Sequence, residues 1–185
     1  MPRIPFIDPD KLTPAQREVY DAVLAGPRRR IQGPLLVALH NPALADAWQK
    51  LGTELRYRTI FPPRLSEIAI LVTAQRWRCQ LEWHLHASIA RQAGVDAAAI
   101  EAIRRGRRPD GAADDAAEIY DFAREQQDLR AVSAPTYGRV LKRWGVTGVV
   151  ELTALIGYYT MVAMTLNSHE FPLPAGATAP FPDGE

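Results

Sequence analysis

The sequence predicts an all-α fold, a bundle of six or more helices with extended terminal arms. Residues typical of a helix start, such as an N-cap residue followed by proline, recur along the chain. Most of the segments that follow them end at a glycine or a proline. The apolar residues between these signals repeat at spacings of three and four, which is the period of a helix. No pair of alternating apolar and polar runs is joined by a hairpin turn, so we expect no paired strands.

The length of 185 residues is typical of one domain with short tails. We predict an N-terminal arm over residues 1–12, a single helical domain over residues 13–170 and a C-terminal arm over residues 171–185. Prolines interrupt both arms, so we expect them to be ordered only where they lie on another surface. A neighbouring subunit is one surface that their apolar side chains could contact.

The first part of the chain predicts two helices. Thr13-Pro14 provides an N-cap followed by proline at the first helical position, and Gly26-Pro27 ends that helix. Asn41-Pro42 repeats the start signal for a helix that runs toward Ile60. The apolar residues of this second helix are spaced three and four apart: Leu44, Trp48, Leu51 and Leu55.

The middle of the chain predicts three helices. The first covers residues 63–77 and has a broad apolar face. The second spans about residues 80–92, and the third is a short helix over residues 96–105. A glycine follows the second and the third helix closely and supplies their stop signals.

Three more helices complete the predicted bundle. Asp110 or Asp114 starts the first of them, and Ser133 starts the second, which Gly145 ends. Thr147 begins the last and longest helix. This last helix is almost uncharged, and its threonines favour the buried centre of a bundle or a subunit interface over a membrane span.

Composition excludes several classes of protein. The single cysteine, Cys79, permits neither an intramolecular disulfide nor a zinc cage built from cysteines. The net charge of +1 gives no overall attraction to nucleic acid or to an acidic membrane. The first residues lack the apolar core of a signal peptide, so we expect a cytoplasmic protein.

The candidate chemistry lies in residues 64–86. Cys79, Glu82 and His86 fall on one face of a helix, at positions i, i+3 and i+7. Cys79 stands at the start of that helix, where the helix dipole favours a thiolate. Glu82 and His86 are close enough for a hydrogen bond that orients the imidazole ring. Glu67 faces the same side if its helix packs antiparallel to this one.

These residues resemble the signature of the carboxymuconolactone decarboxylase and alkylhydroperoxidase D-like family. In that signature Glu, eleven residues, Cys, two residues, Cys, three residues and His span a helix hairpin. Glu67, Cys79 and His86 match it in type and spacing, whereas Glu82 replaces the second cysteine. The resemblance covers mainly residues 42–105. It implies an alkylhydroperoxidase D-like fold, no cofactor and no metal, and a homo-oligomer that is a trimer, hexamer or dimer.

The resemblance implies two alternative activities. Glu82 cannot resolve a sulfenic acid, so the two-cysteine peroxidase cycle is unavailable within one subunit. The motif from Cys79 to Trp83 is more similar to the decarboxylase branch. We therefore expect a lyase that uses acid–base chemistry, without a cofactor, on a small carboxylated or lactone-type substrate. The alternatives are a single-cysteine peroxidase or redox sensor, an oxidoreductase that uses Cys79 with an external thiol, and a non-catalytic oligomeric scaffold.

Each candidate residue has a role that suits its chemistry. His86 is the candidate acid or base, because the pKa of imidazole lies near the working pH. Glu82 would orient His86, and Glu67 could hold a raised pKa in its apolar helix and donate a proton. Arg64 is the candidate for binding a substrate carboxylate through its guanidinium fork. Trp83 is the candidate wall of the substrate pocket.

Overall fold

A computed structural model describes residues 2–182, and within them the chain forms eight α-helices and no strand. The all-α prediction is therefore confirmed. In chain order the helices are α1 (Pro14–Ala25), α2 (Leu35–Ala38), α3 (Pro42–Tyr57), α4 (Pro63–Arg76), α5 (Gln80–Gln92), α6 (Ala97–Arg104), α7 (Asp114–Leu129) and α8 (Ala134–Ser168). The predicted arms include residue 1 and residues 183–185, which lie outside the described residues.

The start signals place the helices as the sequence predicts. Thr13 accepts a hydrogen bond from the backbone N–H of Gln16, and the Gln16 side chain accepts one from the backbone N–H of Thr13. This reciprocal arrangement satisfies two N–H groups that a helix start otherwise leaves unpaired. Asn41 caps α3 and Asp96 caps α6 through their side-chain oxygens.

The first helices differ from the prediction in two respects. The four-residue α2 is missing from the prediction, because so short a helix shows no period. In α3, which ends at Tyr57 instead of near Ile60, Leu44 and Leu51 are exposed although they belong to the predicted apolar set. The buried residues of α3 at helical spacing are Ala45, Trp48, Gly52 and Leu55.

Contacts along the chain group its residues into two compact units. The first contains the residues up to Thr59 together with Thr165–Pro172, and in it α3 packs against α1 and α2. The second contains Ile60–Met164 together with the residues from Leu173 onward, and in it α4 packs against α5, α6 and α7. The single domain over residues 13–170 stays a prediction beside this grouping.

The N-terminal arm lies on its own chain within the first unit. The backbone N–H of Arg3 donates to the carbonyl of His169 at 3.0 Å, and the Arg3 guanidinium pairs with Glu170 at 2.5 Å. The rings of Phe6 and Phe171 pack with their centroids 5.0 Å apart. The arm also contacts earlier parts of this unit, because the carbonyl of Pro5 lies 3.0 Å from His40 Nε2 and the carbonyl of Pro9 accepts from Arg17.

Helix α4 is the central helix of the second unit. Every residue from Leu65 to Ala74 is buried, so this helix has no solvent-facing side over almost three turns. Three neighbouring helices, α5, α6 and α7, pack against it. This explains why apolar residues occupy so much of its circumference. A carboxylate on such a helix, as at Glu67, needs a partner to offset the cost of leaving water.

Helix α8 is broken at Gly145, where the sequence predicts that one helix ends and another begins. Gly145 has φ 68° and ψ −173°, a conformation that is essentially restricted to glycine. Among residues 2–182, α8 alone is long and apolar enough to cross a membrane by length and composition. Half of its most apolar 18-residue window is buried.

The break in α8 predicts opposite effects for two glycine-to-alanine substitutions. A Cβ on Gly148 would overlap the Cβ of Trp144 and would also meet Ile60 at 3.4 Å, so Gly148→Ala must reopen the break. We expect it to lower the free energy of unfolding by about 1–3 kcal/mol, the usual cost of overpacking. Nothing lies within 4 Å of a Cβ on Gly157, so Gly157→Ala should raise that energy by about 0.5–1 kcal/mol. Urea denaturation measures both values, and equal effects from the two variants would contradict this account.

Candidate functional site

The centre of the candidate site is a buried pair formed by Glu67 of α4 and His86 of α5. His86 Nδ1 lies 2.7 Å from Glu67 Oε2, which is a short, charge-assisted hydrogen bond. The residues are only 5% and 7% exposed. The hydrogen bond to His86 thus offsets the cost of removing the Glu67 carboxylate from water. The antiparallel packing of the two helices, which the sequence predicts, brings these two residues together.

A tight connection between α4 and α5 aligns the two helices. The backbone N–H of Cys79 donates to the carbonyl of Ala74 at 2.9 Å, and Arg78 adopts the left-handed conformation with φ 46°. This is the geometry with which many helices end, although glycine usually takes the left-handed position. Only three residues separate α4 from α5, so the helices lie side by side as a hairpin.

The imidazole of His86 is held on two sides. Its Nδ1 donates to the Glu67 carboxylate, and its ring meets the Tyr159 ring edge-on with centroids 5.0 Å apart. The other ring nitrogen, Nε2, is not the atom that bonds to Glu67. A histidine whose Nδ1–H is bound to a carboxylate presents the lone pair of Nε2 to a substrate.

Glu82 is a buried carboxyl without a donor. It is 1% exposed, and neither of its oxygens accepts a hydrogen bond from a nitrogen or oxygen atom of the described residues. Burial raises the pKa of Glu82 well above its usual value of 4.5, and the charge of Glu67 raises it further, whereas the Cys79 thiol lowers it in part. This shift favours the protonated form of the Glu82 carboxyl.

Cys79 is a buried thiol at the N-cap of α5. Burial and the nearby charge of Glu82 raise the pKa of Cys79 to about 12, and the backbone N–H groups of Glu82 and Leu81 lower it only in part. The sequence predicts a thiolate at this position because of the helix dipole. The structure contradicts that prediction, because the cost of burying the charge exceeds the effect of the helix start.

Two further details of the site correct the sequence-based predictions. The sequence predicts a hydrogen bond from Glu82 to His86, but the partner of His86 is Glu67. The carboxyl predicted to have a raised pKa is Glu67, but the carboxyl whose pKa burial raises is Glu82. The first difference arises because the ring of His86 turns across the hairpin instead of along its own helix, and the second because Glu67 has a partner in His86.

Arg64 and Trp83 are both engaged elsewhere. Arg64 pairs with Asp115 of α7 and lines a cavity of about 700 Å³ formed largely by α6 and by the turns that flank it. That cavity is lined by neither Glu67 nor His86. Trp83 is buried and packs against Phe181. The substrate-binding roles of Arg64 and Trp83 stay predictions.

Tyr159 belongs to the site and is absent from the predicted site residues. From the sequence it is one of several aromatic residues expected in the core or at an interface, and it lies 73 residues after His86. No local spacing connects it with the hairpin. Among the described residues, no group of three or more His, Cys, Asp or Glu side chains is arranged to hold a metal ion.

The ionisation of Cys79 gives a direct prediction for its reactivity. With a pKa of about 12, roughly one molecule in 10⁴ carries a thiolate at pH 8. We expect the alkylation rate with iodoacetamide to rise about tenfold per pH unit through pH 10, with no plateau near the free-thiol value of about 8.5. Glutathione is the matched control. A plateau below pH 8 would mean that Cys79 is an activated thiol.

Comparison with known proteins adds one finding. The model of the carboxymuconolactone decarboxylase family matches residues 42–125, a range that includes α3 to α6 and most of α7. The four predicted catalytic residues lie inside this range: Glu67, Cys79, Glu82 and His86. Tyr159 lies outside it. No curated protein matches the chain.

Proposed function

We propose that the chain, whose residues 42–125 match the model of the carboxymuconolactone decarboxylase family, is a cofactor-free acid–base enzyme of that family. Its substrate is a small carboxylated or lactone-type molecule. The observation that carries this proposal is the buried hydrogen bond between His86 and Glu67, which occupies Nδ1 and makes Nε2 the ring nitrogen that would exchange a proton with a substrate. An imidazole held in this way can take up and release a proton at Nε2, in a fixed orientation toward the substrate.

The proposed reaction is a decarboxylation followed by proton transfer to carbon. Loss of CO₂ breaks the bond between the carboxylate and the adjoining carbon, and the electron pair stays on the substrate as an enolate. Protonated His86 then delivers the Nε2 proton to that carbon. Glu67 holds the ring and stabilises its positive charge, as the carboxylate does in other acid–base pairs.

Glu82 has a separate part in this proposal. Its raised pKa favours the neutral carboxyl, which would add no second negative charge beside Glu67, where an anionic substrate must enter. A carboxyl with a raised pKa is also suited to restore the proton that His86 gives to the substrate. Each turnover consumes one proton from solvent and releases one CO₂.

The raised pKa of Cys79 argues against the peroxidase alternative. Reduction of a hydroperoxide by cysteine requires a thiolate, which is the nucleophile in that reaction. Cys79 is 1% exposed and its thiol is protonated at neutral pH. We accordingly expect Cys79→Ser to keep most of the acid–base activity.

The experiment that tests the proposal follows proton exchange at carbon. The protein is incubated in D₂O with carboxylated γ-lactones, unsubstituted γ-lactones and β-keto acids, and NMR follows loss of the carboxylate and incorporation of deuterium. We expect at least one member of this panel to exchange faster with the protein than without it. Exchange at a lactone that lacks the carboxylate would report the proton step alone, because enolate protonation is reversible.

Two outcomes would overturn this proposal. One is exchange on the active compound at equal rates with wild-type protein and His86→Gln. The other is the absence of exchange across the panel, together with rapid sulfenic acid formation at Cys79 on exposure to hydrogen peroxide. The second outcome would favour the single-cysteine peroxidase.

A further inference from the structure

The C-terminal segment Pro180–Pro182 lies across the start of α5 and is held by side chains. Gln80 donates to the carbonyl of Phe181 at 2.5 Å and accepts from its backbone N–H at 3.0 Å. Arg104 donates to the carbonyl of Pro180 at 2.9 Å, and Arg78 donates to that of Pro182 at 2.8 Å. Three consecutive carbonyls are thus each bound by a different side chain.

This arrangement satisfies every backbone polar group of the segment. Prolines have no N–H, so the backbone N–H of Phe181 is the only donor in Pro180–Pro182, and Gln80 accepts from it. The two prolines also fix φ on each side of Phe181, which lowers the entropy lost on docking. Recognition of an extended backbone by side chains in this way is typical of a peptide-binding site.

The Phe181 side chain occupies a pocket of its own. It is 3% exposed, its ring meets that of Trp83 edge-on at 5.2 Å, and the Arg78 guanidinium lies over it at 5.7 Å. Aromatic contacts of this kind add to the burial of the ring, and the cation over the ring adds a further attraction. An aromatic side chain between two prolines therefore fits this pocket and this set of donors together.

We propose that Arg78, Gln80, Trp83 and Arg104 form a docking site for a proline–aromatic–proline peptide, which the chain's own Pro180–Pro182 fills as a removable plug. We call these four residues the tail-binding cradle. Arg78 and Gln80 are the neighbours of Cys79 on either side, so the docked segment covers the point where α5 begins. We therefore expect release of the plug to make Cys79 more accessible.

The test uses the full-length protein with Phe181→Ala or Gln80→Ala, and the single cysteine reports on the plug. Dithiobis(nitrobenzoic acid) labels Cys79 at pH 8, and we expect both variants to react at least tenfold faster than wild type. Phe6→Ala is the matched control, because it removes an aromatic contact from the other arm and should leave the labelling rate unchanged. Circular dichroism shows whether each variant keeps its helices, and Gln80→Ala retains Phe181 should Phe181→Ala unfold.

A fluorescent peptide with the sequence of residues 177–185 tests the docking site itself. It should bind Phe181→Ala, whose own plug is lost, and should bind wild type at least tenfold more weakly. Peptide binding should also return the labelling of Cys79 in Phe181→Ala to the slow wild-type rate, whereas a peptide with alanine in place of phenylalanine should have no effect. Unchanged labelling in both folded variants, or a peptide that does not bind Phe181→Ala, would overturn the proposal. Neither measurement depends on turnover, so its result is separate from that of the proposed reaction.

Discussion

Replacing His86 with glutamine is expected to lower the rate of proton exchange on the active substrate by a factor of about 10²–10⁴. Glutamine can still donate a hydrogen bond to Glu67 from its amide, so the buried carboxylate keeps a donor. It cannot take up a proton near neutral pH. The variant therefore removes the chemistry of the ring while it keeps a partner for Glu67.

His84→Gln is the matched control for this prediction. His84 lies on the same helix two residues earlier and is partly exposed, so the substitution changes the same residue type without changing the pair. The proton exchange rate is measured by NMR for both variants, and urea denaturation compares their stability. A similar loss of rate in His84→Gln would mean that the effect comes from α5 as a whole instead of the His86 ring.

Glu82 is expected to make the protein less stable as the pH rises, and Glu82→Gln should remove that dependence. The folded protein holds the Glu82 proton above pH 4.5, where the unfolded chain has lost it. The stabilisation is fully present below pH 4.5 and declines as the pH rises toward the raised pKa of the folded state. Each unit of the pKa difference corresponds to about 1.4 kcal/mol.

Urea denaturation of wild type and Glu82→Gln between pH 5 and pH 9 measures this effect. The free energy of unfolding of the variant, relative to wild type, should increase across the range. Glu101→Gln is the control, because Arg104 and Arg105 lower the pKa of Glu101 to about 2 and its stabilisation is lost only below pH 4.5, so its curve should stay parallel to that of wild type in this range. Parallel curves for wild type and Glu82→Gln would mean that Glu82 is ionised in the folded protein.

Much of the fold could be predicted because the helix boundaries have local chemical causes. Thr13 and Asn41 satisfy N–H groups at helix starts, and Gly145 adopts a conformation that other residues avoid. The exposed positions of Leu44 and Leu51 could not be predicted in this way. A helical period shows which residues share a face, but the direction of that face depends on which helices pack against it.

The residues of the candidate site could largely be predicted from the sequence, but the hydrogen bond between His86 and Glu67 could not. Glu67, Cys79 and His86 stand at spacings that a helix hairpin brings together. Which carboxylate His86 would bind depends on side-chain rotamers across that hairpin. The raised pKa of Cys79 depends on its burial, which is a property of the whole fold. Tyr159 comes from a distant part of the chain, and no local pattern predicts it.

The burial of α4 has a consequence for the motions of the site. A helix covered on all sides can expose its backbone to solvent only when its neighbours separate, so its amide hydrogens exchange by the largest unfolding events of the protein. We therefore expect residues 65–74 to be among the slowest to exchange with deuterium. The single amide hydrogen of Pro180–Pro182, that of Phe181, is held by a side chain outside any helix and should exchange through small local openings. We thus expect the Glu67 carboxylate to be fixed to the part of the chain that opens least, and the segment docked beside Cys79 to open far more often.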